Sequence, residues 1–257
     1  MTGQGENPPS AENQSSITCA NCGAAVAPAI GPHCPHCGAE IVPKRLTFAD
    51  LSAVTVDHFL SLDVPFLRTI VDLSRRPGRV VGEYVAGKRR KYTNPLKFYL
   101  ITATVLVAVI HLLLAANWNV PATSPQPSAT VIEQFIRDAL RLAMTWHADY
   151  IQLVYLLSLP LFAAMLYVVI GRRGGRSVME LFIMCLFAWG QIYLVQAASN
   201  FIAFCSPWSG LAMVAGVVGG LWPFVYVPWI AAGFCRVGVL RAVLWSVPVF
   251  FVYSQVI

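Results

Sequence analysis

Five apolar runs, each long enough to cross a bilayer as an α-helix, dominate the second half of this sequence. They span residues 96–116, 151–170, 178–204, 211–234 and 237–257. A helix needs about 20 apolar residues to cross the hydrocarbon core of a membrane. The chain of 257 residues is 57% hydrophobic and only 12% charged, whereas a soluble domain carries about 25% charge. The sequence therefore predicts an all-α polytopic membrane protein with about five transmembrane helices in residues 96–257.

The charges between these runs predict how the chain is oriented. Eleven of the 18 Lys and Arg residues lie between Lys44 and Lys97, and three more lie in the loop 171–177. Positively charged loops stay on the cytoplasmic side. We therefore expect a multi-pass inner-membrane protein with a cytoplasmic N-terminus and a periplasmic or extracellular C-terminus. Residues 1–16 are polar and lack the apolar segment of a signal peptide, so they predict a disordered tail in the same compartment.

Four of the seven cysteines form two matching CxxCG motifs near the N-terminus. They are Cys19, Cys22, Cys34 and Cys37. Two intervening residues let both sulfurs of a pair face one ion, and the glycine that follows permits a tight turn. Four thiolates at this spacing predict one structural Zn²⁺ in a small β zinc ribbon over residues 17–43. Iron is the rival metal because it uses the same ligands, and His33 and His36 are expected to be exposed loop residues.

The ribbon predicts a binding role rather than a chemical one. About twenty-five residues cannot bury a core of their own, so folding should depend on the metal. A closed four-cysteine site leaves no open position for a substrate. The stretch from Cys19 to Glu40 contains no Lys or Arg, which argues against nucleic-acid binding. We therefore expect a protein partner for the ribbon.

Three further cysteines lie in or beside apolar runs. They are Cys185, Cys205 and Cys235. We expect all three to be small buried hydrophobic residues rather than ligands.

Residues 44–95 predict basic amphipathic helices that precede the membrane domain. Apolar residues recur at helical spacing, and Pro77-Gly78 separates two helices. We expect this segment at the cytoplasmic headgroup level, with its apolar face toward the membrane and its cations among anionic lipid phosphates. The residues assigned to headgroup contact are Arg75, Arg76, Arg79, Lys88, Arg89, Arg90 and Lys91. A plain topology signal without lipid preference is the alternative.

The same segment carries a recognisable pattern. Residues 75–78 read RRPG, residues 83–89 read EYVAGKR, and residues 91–95 read KYTNP. Together with the two CxxCG motifs, this pattern resembles a bacterial family of uncharacterised membrane proteins. The resemblance implies a ribbon followed by transmembrane helices, and it implies no reaction. Members often carry histidines after a glutamate in a later membrane helix; Glu180 matches that glutamate, but Leu181 and Phe182 follow it here.

Few polar residues interrupt the predicted spans. Gln196, Ser199 and Asn200 share one face of the third span through spacings of three and four residues. Glu180 lies near the start of the same helix, where it suits a helix N-terminus or pairs with a basic residue such as Arg241. These residues predict a polar seam in the membrane. We favour interhelical hydrogen bonding over a cavity as its role.

Two other patterns concern the packing of the membrane domain. Ala212, Gly216 and Gly220 form a stripe of small residues that predicts close helix contact in the fourth span. Residues 129–148 have apolar positions at helical spacing and predict an amphipathic helix on the periplasmic surface.

Three functions remain open at this point. The first is a non-enzymatic interaction, scaffold or regulatory protein that presents the ribbon and the basic segment at the inner membrane. The alternative is a transporter of small solutes or lipids, or another lipid-handling protein. An intramembrane enzyme is the third, and the sequence carries no clustered acid, base or metal-ligand motif within the spans to favour it.

Overall fold

A computed structural model describes residues 17–27, 31–39, 41, 64–116, 135, 150, 153–154, 156–172 and 175–256. The described chain is mostly helical, with a small two-stranded sheet at its N-terminal end. The predicted tail at 1–16, the first part of the basic segment at 42–63 and nearly all of the predicted helix at 129–148 lie outside the described residues.

The N-terminal unit is a short hairpin with a turn at residues 20–22, followed by a second turn at residues 35–37. Strands β1 (Ile17–Thr18) and β2 (Ala25–Val26) are antiparallel, with Ile17 opposite Val26. The buried core of this unit is small. It consists of Cys19, Val26, Cys34, Ala39 and Ile41.

Two short helices and a turn precede the first long helix. Helix α1 is Val64–Arg75 and α2 is Pro77–Val85, with Pro77 in the first turn of α2 as the sequence predicts. A proline is accepted there because its missing N–H has no helical partner. A 3₁₀ turn, Arg89–Lys91, follows Gly87, whose φ of 105° suits glycine.

Five longer helices follow among the described residues: α3 (Pro95–Ala115), α4 (Leu156–Ile170), α5 (Val178–Cys205), α6 (Ser209–Cys235) and α7 (Val239–Val256). Helix α4 ends in a π-helical turn, Tyr167–Gly171. Side-chain caps start two of the helices. Asn94 Oδ1 accepts from the N–H of Leu96 at 2.9 Å, and Ser177 forms a capping box with Glu180.

Three of these helices are long and apolar enough to cross a membrane, namely α3 with its preceding turn, α5 and α6. The second and fifth predicted spans correspond to shorter apolar helices over the described residues, Leu156–Ile170 and Val239–Val249. Many large apolar side chains on the outer surface are exposed, among them Leu157, Met213 and Leu240 at 72–73%. Such a surface suits contact with lipid. A total of five spans and the orientation remain predictions.

Helix α5 lies at the centre of the packed core. Residues 181–193 are buried without interruption, which means that this part of the helix is covered on all sides. The helix has 28 residues and is therefore about 42 Å long, while the hydrocarbon core is about 30 Å thick. Helices α1 and α2 help to cover its first half. Tyr84 of α2 packs edge-on against Phe187, and Ser74 of α1 accepts a hydrogen bond from Gln191.

The apolar face of α1 differs from the expectation that it would lie on lipid. Phe66 and Leu73 are buried against other helices, and the Leu73 carbonyl accepts a 3.1 Å hydrogen bond from the Tyr226 hydroxyl of α6. Leu67 and Val71 remain 59% and 45% exposed. The apolar face of α1 is therefore divided into a buried part and an exposed part, because the neighbouring helices cover only one side of α1.

Candidate metal centre and the basic module beside it

The four predicted cysteine ligands converge. Their sulfur atoms all lie within 4.8 Å of one another. Two of the sulfur pairs join the two knuckles: Cys19 Sγ is 3.8 Å from Cys37 Sγ, and Cys22 Sγ is 3.7 Å from Cys34 Sγ. One ion placed between the sulfurs would thus draw two ligands from each knuckle.

The two knuckles repeat one backbone pattern. In the first, the N–H of Gly23 donates to the Cys19 carbonyl at 2.9 Å, and in the second the N–H of Gly38 donates to the Cys34 carbonyl at 2.7 Å. The φ angles of these glycines are 78° and 64°. A side chain is disfavoured in that left-handed region, which explains why a glycine follows each CxxC.

Nearby donors already favour thiolate at two of the sulfurs. A hydrogen bond from the Asn21 side chain, with the N–H of Ala39, lowers the pKa of Cys37 to about 6. Backbone N–H groups of Cys22 and Asn21 lower the pKa of Cys19. At Cys22 the N–H of Ala24 lowers the pKa, but burial and three neighbouring sulfurs outweigh it and raise the pKa to about 12. Four closely spaced thiols resist full ionisation until a cation neutralises the negative charge of the thiolates.

The residues present fit a closed tetrathiolate metal site. Four sulfur ligands and N–H donors directed at them are the donor set of structural zinc and of single-iron sites. His33 and His36 are exposed, as expected. The cysteine cluster can therefore hold one metal ion, and zinc is the ion we propose below.

The cysteine unit is attached to the basic module through Arg90. The Arg90 guanidinium donates from Nη1 to the carbonyl of Cys37. A Cβ built on Gly38 would lie only 2.8 Å from the same nitrogen, so glycine at this position also allows the arginine to approach. One of the predicted lipid-contacting cations is thus directed at the metal-binding unit.

Glu83 organises the middle of the basic module. Its Oε1 is 2.9 Å from Arg79 Nε, and its Oε2 accepts from Lys91 Nζ at 2.7 Å and from the Tyr92 hydroxyl at 2.8 Å. Lys88 Nζ lies 3.8 Å away. Burial raises the pKa of Glu83, but the hydrogen bonds from Lys91, Tyr92 and Arg79 outweigh it and lower the pKa to about 2. Three of the seven predicted headgroup cations therefore share one carboxylate.

The remaining residues of the sequence pattern also make structural contacts. A Cβ on Gly78 would lie 2.4 Å from the carbonyl carbon of Gly233, so α2 and α6 cross at two glycines. The backbone N–H of Thr93 donates to Thr69 Oγ1 at 3.0 Å. The pattern is thus a set of packing, capping and ion-pair residues that joins α1, α2 and α3 to α6.

Arg75, Arg76 and Arg79 line a cavity of about 530 Å³ between the α1–α2 junction and the end of α6. Two residues that the sequence did not assign to any site, Arg176 and Arg236, line it as well. They lie just before α5 and just after α6, so they come together because these two helices are antiparallel neighbours. The sequence does show positive charge at the ends of the predicted spans. It does not show which span ends lie next to each other in the fold.

The predicted polar seam is divided in the structure. Ser199 is buried, and a Cβ built on Gly219 would lie 3.2 Å from its Cβ and 3.9 Å from Gln196 Nε2. The half-buried Asn200 adjoins them in sequence. Glu180 is sixteen residues from Gln196 on the same helix, about 24 Å along its axis. It serves as the cap of α5 and lies 3.8 Å from Arg176, rather than in the seam.

The small-residue stripe of α6 lies in a different register from the predicted one. Ala215 and Gly219 are buried, whereas Gly216 and Gly220 are exposed with no described atom within 4 Å of a built Cβ. The prediction correctly expected a row of small residues spaced four apart on α6. It assigned them to the wrong face of α6, since Gly219 rather than Gly220 faces α5.

The cysteines outside the ribbon divide as well. Cys185 and Cys235 are buried as expected, while Cys205 is exposed. Cys205 is the last residue of α5, where fewer neighbouring helices cover the side chain.

Comparison with known proteins gives one match. A family model described as "Protein of unknown function (DUF3667)" matches residues 63–107. No curated protein and no solved structure matches the chain. The match confirms the resemblance over α1, α2, the basic turn and the first part of α3, and it assigns no activity.

Proposed function

We propose that the protein is a non-enzymatic interaction or scaffold protein of a bacterial inner membrane, which presents a zinc-loaded ribbon to a protein partner in the cytoplasm. The observation that carries this proposal is the attachment of a closed four-thiol cluster to the module next to the first long apolar helix, through Arg90 and the Cys37 carbonyl. A closed tetrathiolate site has no coordination position for a substrate.

The contacts of the basic module support the same proposal. The helix crossing uses Gly78, and the ion-pair cluster uses Glu83 and Tyr92. Both are structural roles. A ribbon fixed to such a module has a defined position, and preorganised surfaces bind with a smaller loss of conformational entropy.

The orientation belongs to the proposal too. The basic residues of the first module, Arg176 and Arg236 lie at the same end of α5 and α6. Positive charge concentrates on the cytoplasmic side of membrane proteins, which supports a cytoplasmic position for this end and for the ribbon.

The test uses the full chain in membranes with a photo-crosslinker at the exposed position His33. Variants C19S and C22S should lose the metal and the cross-linked partner while the protein stays in the membrane fraction. C205S is the matched control, since it removes an exposed cysteine that lies outside the cluster. An unchanged cross-linked product in C19S would refute the proposal.

The transport alternative has its own variant. Replacing Gln196 and Asn200 by leucine should leave partner capture unchanged, because Gln196 lies beside the helix contact at Gly219. If these changes abolished the flux of a substrate into vesicles, that result would favour the transporter over the interaction protein.

A further inference from the structure

We infer that the cavity between the α1–α2 junction and the end of α6 binds a phosphate group, carried either by an anionic lipid or by a soluble phosphate compound. The cavity has a volume of about 530 Å³, within the range of about 300–1,000 Å³ that is usual for small-molecule sites. This inference does not depend on the ribbon or on its metal.

Three separate parts of the chain build the cavity. The α1–α2 junction contributes Arg75, Arg76 and Arg79, the loop before α5 contributes Arg176, and the residue after α6 contributes Arg236. The contact between Gly78 and Gly233 holds the first part against the third. Arg176 is fixed to α6 as well: Nη2 donates to the Phe234 carbonyl at 2.9 Å, and the guanidinium lies 4.3 Å from the Phe234 ring centroid.

Charge in the cavity is strongly unbalanced. Five arginines and one carboxylate, Glu83, line it. Glu83 already accepts from Arg79, Lys91 and Tyr92. Arg176 has Glu180 at 3.8 Å. Within the described residues, Arg75, Arg76 and Arg236 have no ion pair with a carboxylate.

Guanidinium groups recognise phosphate through parallel N–H donors, and several of them around one space favour a dianionic or monoanionic phosphate over a single carboxylate. The remaining wall is apolar and includes Trp229 and Phe234. An ester carbon of a phosphate compound suits such a wall. A second cavity of about 280 Å³ shares Arg75, Arg76 and Arg79, and Asp72 and Lys91 line it as well.

The backbone of Arg236 adds an independent observation. Its φ and ψ are 53° and 38°, which is the left-handed conformation usually given to glycine after a helix. Residues with a Cβ rarely adopt this conformation because the Cβ comes too close to the following carbonyl oxygen. An arginine that occupies a position where glycine is favoured, and that lines a cavity with four other arginines, is consistent with selection for its charge.

This geometry supplies a variant that separates binding from folding. R236G removes the guanidinium and at the same time places the preferred residue at that backbone position, so the fold should be retained or stabilised. R75Q removes a second lining charge. R172Q is the matched control, because Arg172 is exposed and does not line the cavity.

The experiment uses the full chain in nanodiscs of phosphatidylcholine, with and without phosphatidylglycerol. Retained lipid is counted by native mass spectrometry, and binding of inorganic pyrophosphate is measured by calorimetry in the discs that contain phosphatidylcholine alone. Phosphatidylglycerol retention that pyrophosphate does not displace identifies a lipid phosphate, and pyrophosphate binding in the neutral discs identifies a soluble phosphate compound. Either result supports the cavity.

R236G and R75Q should each weaken whichever binding is observed about tenfold, since each removes a charged hydrogen-bond donor from the site, and tenfold corresponds to about 1.4 kcal/mol. R172Q should change it less than twofold. The inference fails if neither probe binds, if R236G binds like the unmodified chain, or if R172Q weakens binding as much as R236G does, which would indicate a diffuse positive field. None of these outcomes bears on partner capture by the ribbon.

Discussion

Gly78 in α2 touches Gly233 in α6 so closely that a Cβ on Gly78 would come within 2.4 Å of the Gly233 carbonyl carbon. Real Cβ atoms do not approach backbone to that distance, so the two helices cross at a point where only glycine fits. Four residues further along the same helix, Gly82 has no atom of the described residues within 4 Å of a built Cβ outside its own helix backbone and chain neighbours. One helix therefore holds a glycine that is required by packing and another that is not.

The first prediction uses this pair. G78A should destabilise the protein by about 3 kcal/mol, because the helices must separate to admit the methyl group. G82A should stabilise it by about 0.5–1 kcal/mol, since alanine favours a helix interior over glycine. Thermal unfolding of the detergent-solubilised chain, followed by tryptophan fluorescence, measures both. Equal effects of the two variants would contradict the crossing.

The second prediction concerns Glu83 and pH. The carboxyl pKa falls from 4.5 to about 2 on folding. The ion-pair cluster therefore contributes its full stability above about pH 4.5, and the contribution is lost as the pH falls toward 2. A shift of this size corresponds to about 3 kcal/mol for fully shielded groups. Arg79, Lys88 and Lys91 are 34–58% exposed, so solvent screens their pairs with Glu83 and we expect about 1–2 kcal/mol. E83Q should lower stability at pH 7 by an amount of that order, and should remove most of the acid dependence in this window.

The control for E83Q is E180Q. Glu180 is also a half-buried glutamate, but it has one basic neighbour, at 3.8 Å, and a capping role. We expect E180Q to cost about 1 kcal/mol or less. If E180Q were the more damaging of the two at neutral pH, the Glu83 cluster would not be the main electrostatic link in the module.

The third prediction tests how the ribbon is held. R90A should raise hydrogen exchange in residues 31–39, since the Cys37 carbonyl loses its donor, while the metal content stays at one ion per chain. Zinc release with a colorimetric chelator gives the content, and exchange mass spectrometry gives the protection. K88A is the matched control, because Lys88 is a neighbouring cation that interacts with Glu83. Loss of metal in R90A would mean that the arginine supports the cluster itself.

The fourth prediction addresses a buried amide. Gln191 Nε2 donates to Ser74 Oγ at 2.8 Å, and Gln191 Oε1 is buried with no hydrogen-bond partner among the described residues. S74A should cost about 1–3 kcal/mol, since it leaves the whole amide unsatisfied. Adding Q191L to S74A should restore part of that loss, because the unpaired polar group is gone. A double variant less stable than S74A alone would refute the arrangement.

The sequence alone predicts those features that depend on local chemistry. The cysteine spacing predicted the four ligands. Pro77 and the apolar run that begins at residue 96 predicted helix starts, which the structure places at residues 77 and 95. These features depend on residues only a few positions apart, which is why they can be read directly. The metal's identity depends on ion binding and stays a prediction.

The missed features depend on which segments meet in space. Arg236 and Arg76 are 160 residues apart in the chain, and nothing in their surroundings indicates that they line one cavity. The register of the α6 stripe was wrong for the same reason, since Gly219 and Gly220 are equally small and only the position of α5 selects between them. Small residues mark a close contact, but the face is decided by the neighbour.

The burial of α1 and α2 against α5 and α6 has a consequence for biosynthesis. Leu73 and Gly78 leave the ribosome more than a hundred residues before Tyr226 and Gly233, the α6 residues that contact them. Until α6 is inserted, Leu73 and Gly78 lack these packing partners. A nascent chain arrested before residue 178 should therefore be a substrate for chaperones or proteases, and the segment matched by the family model should not fold when it is expressed alone.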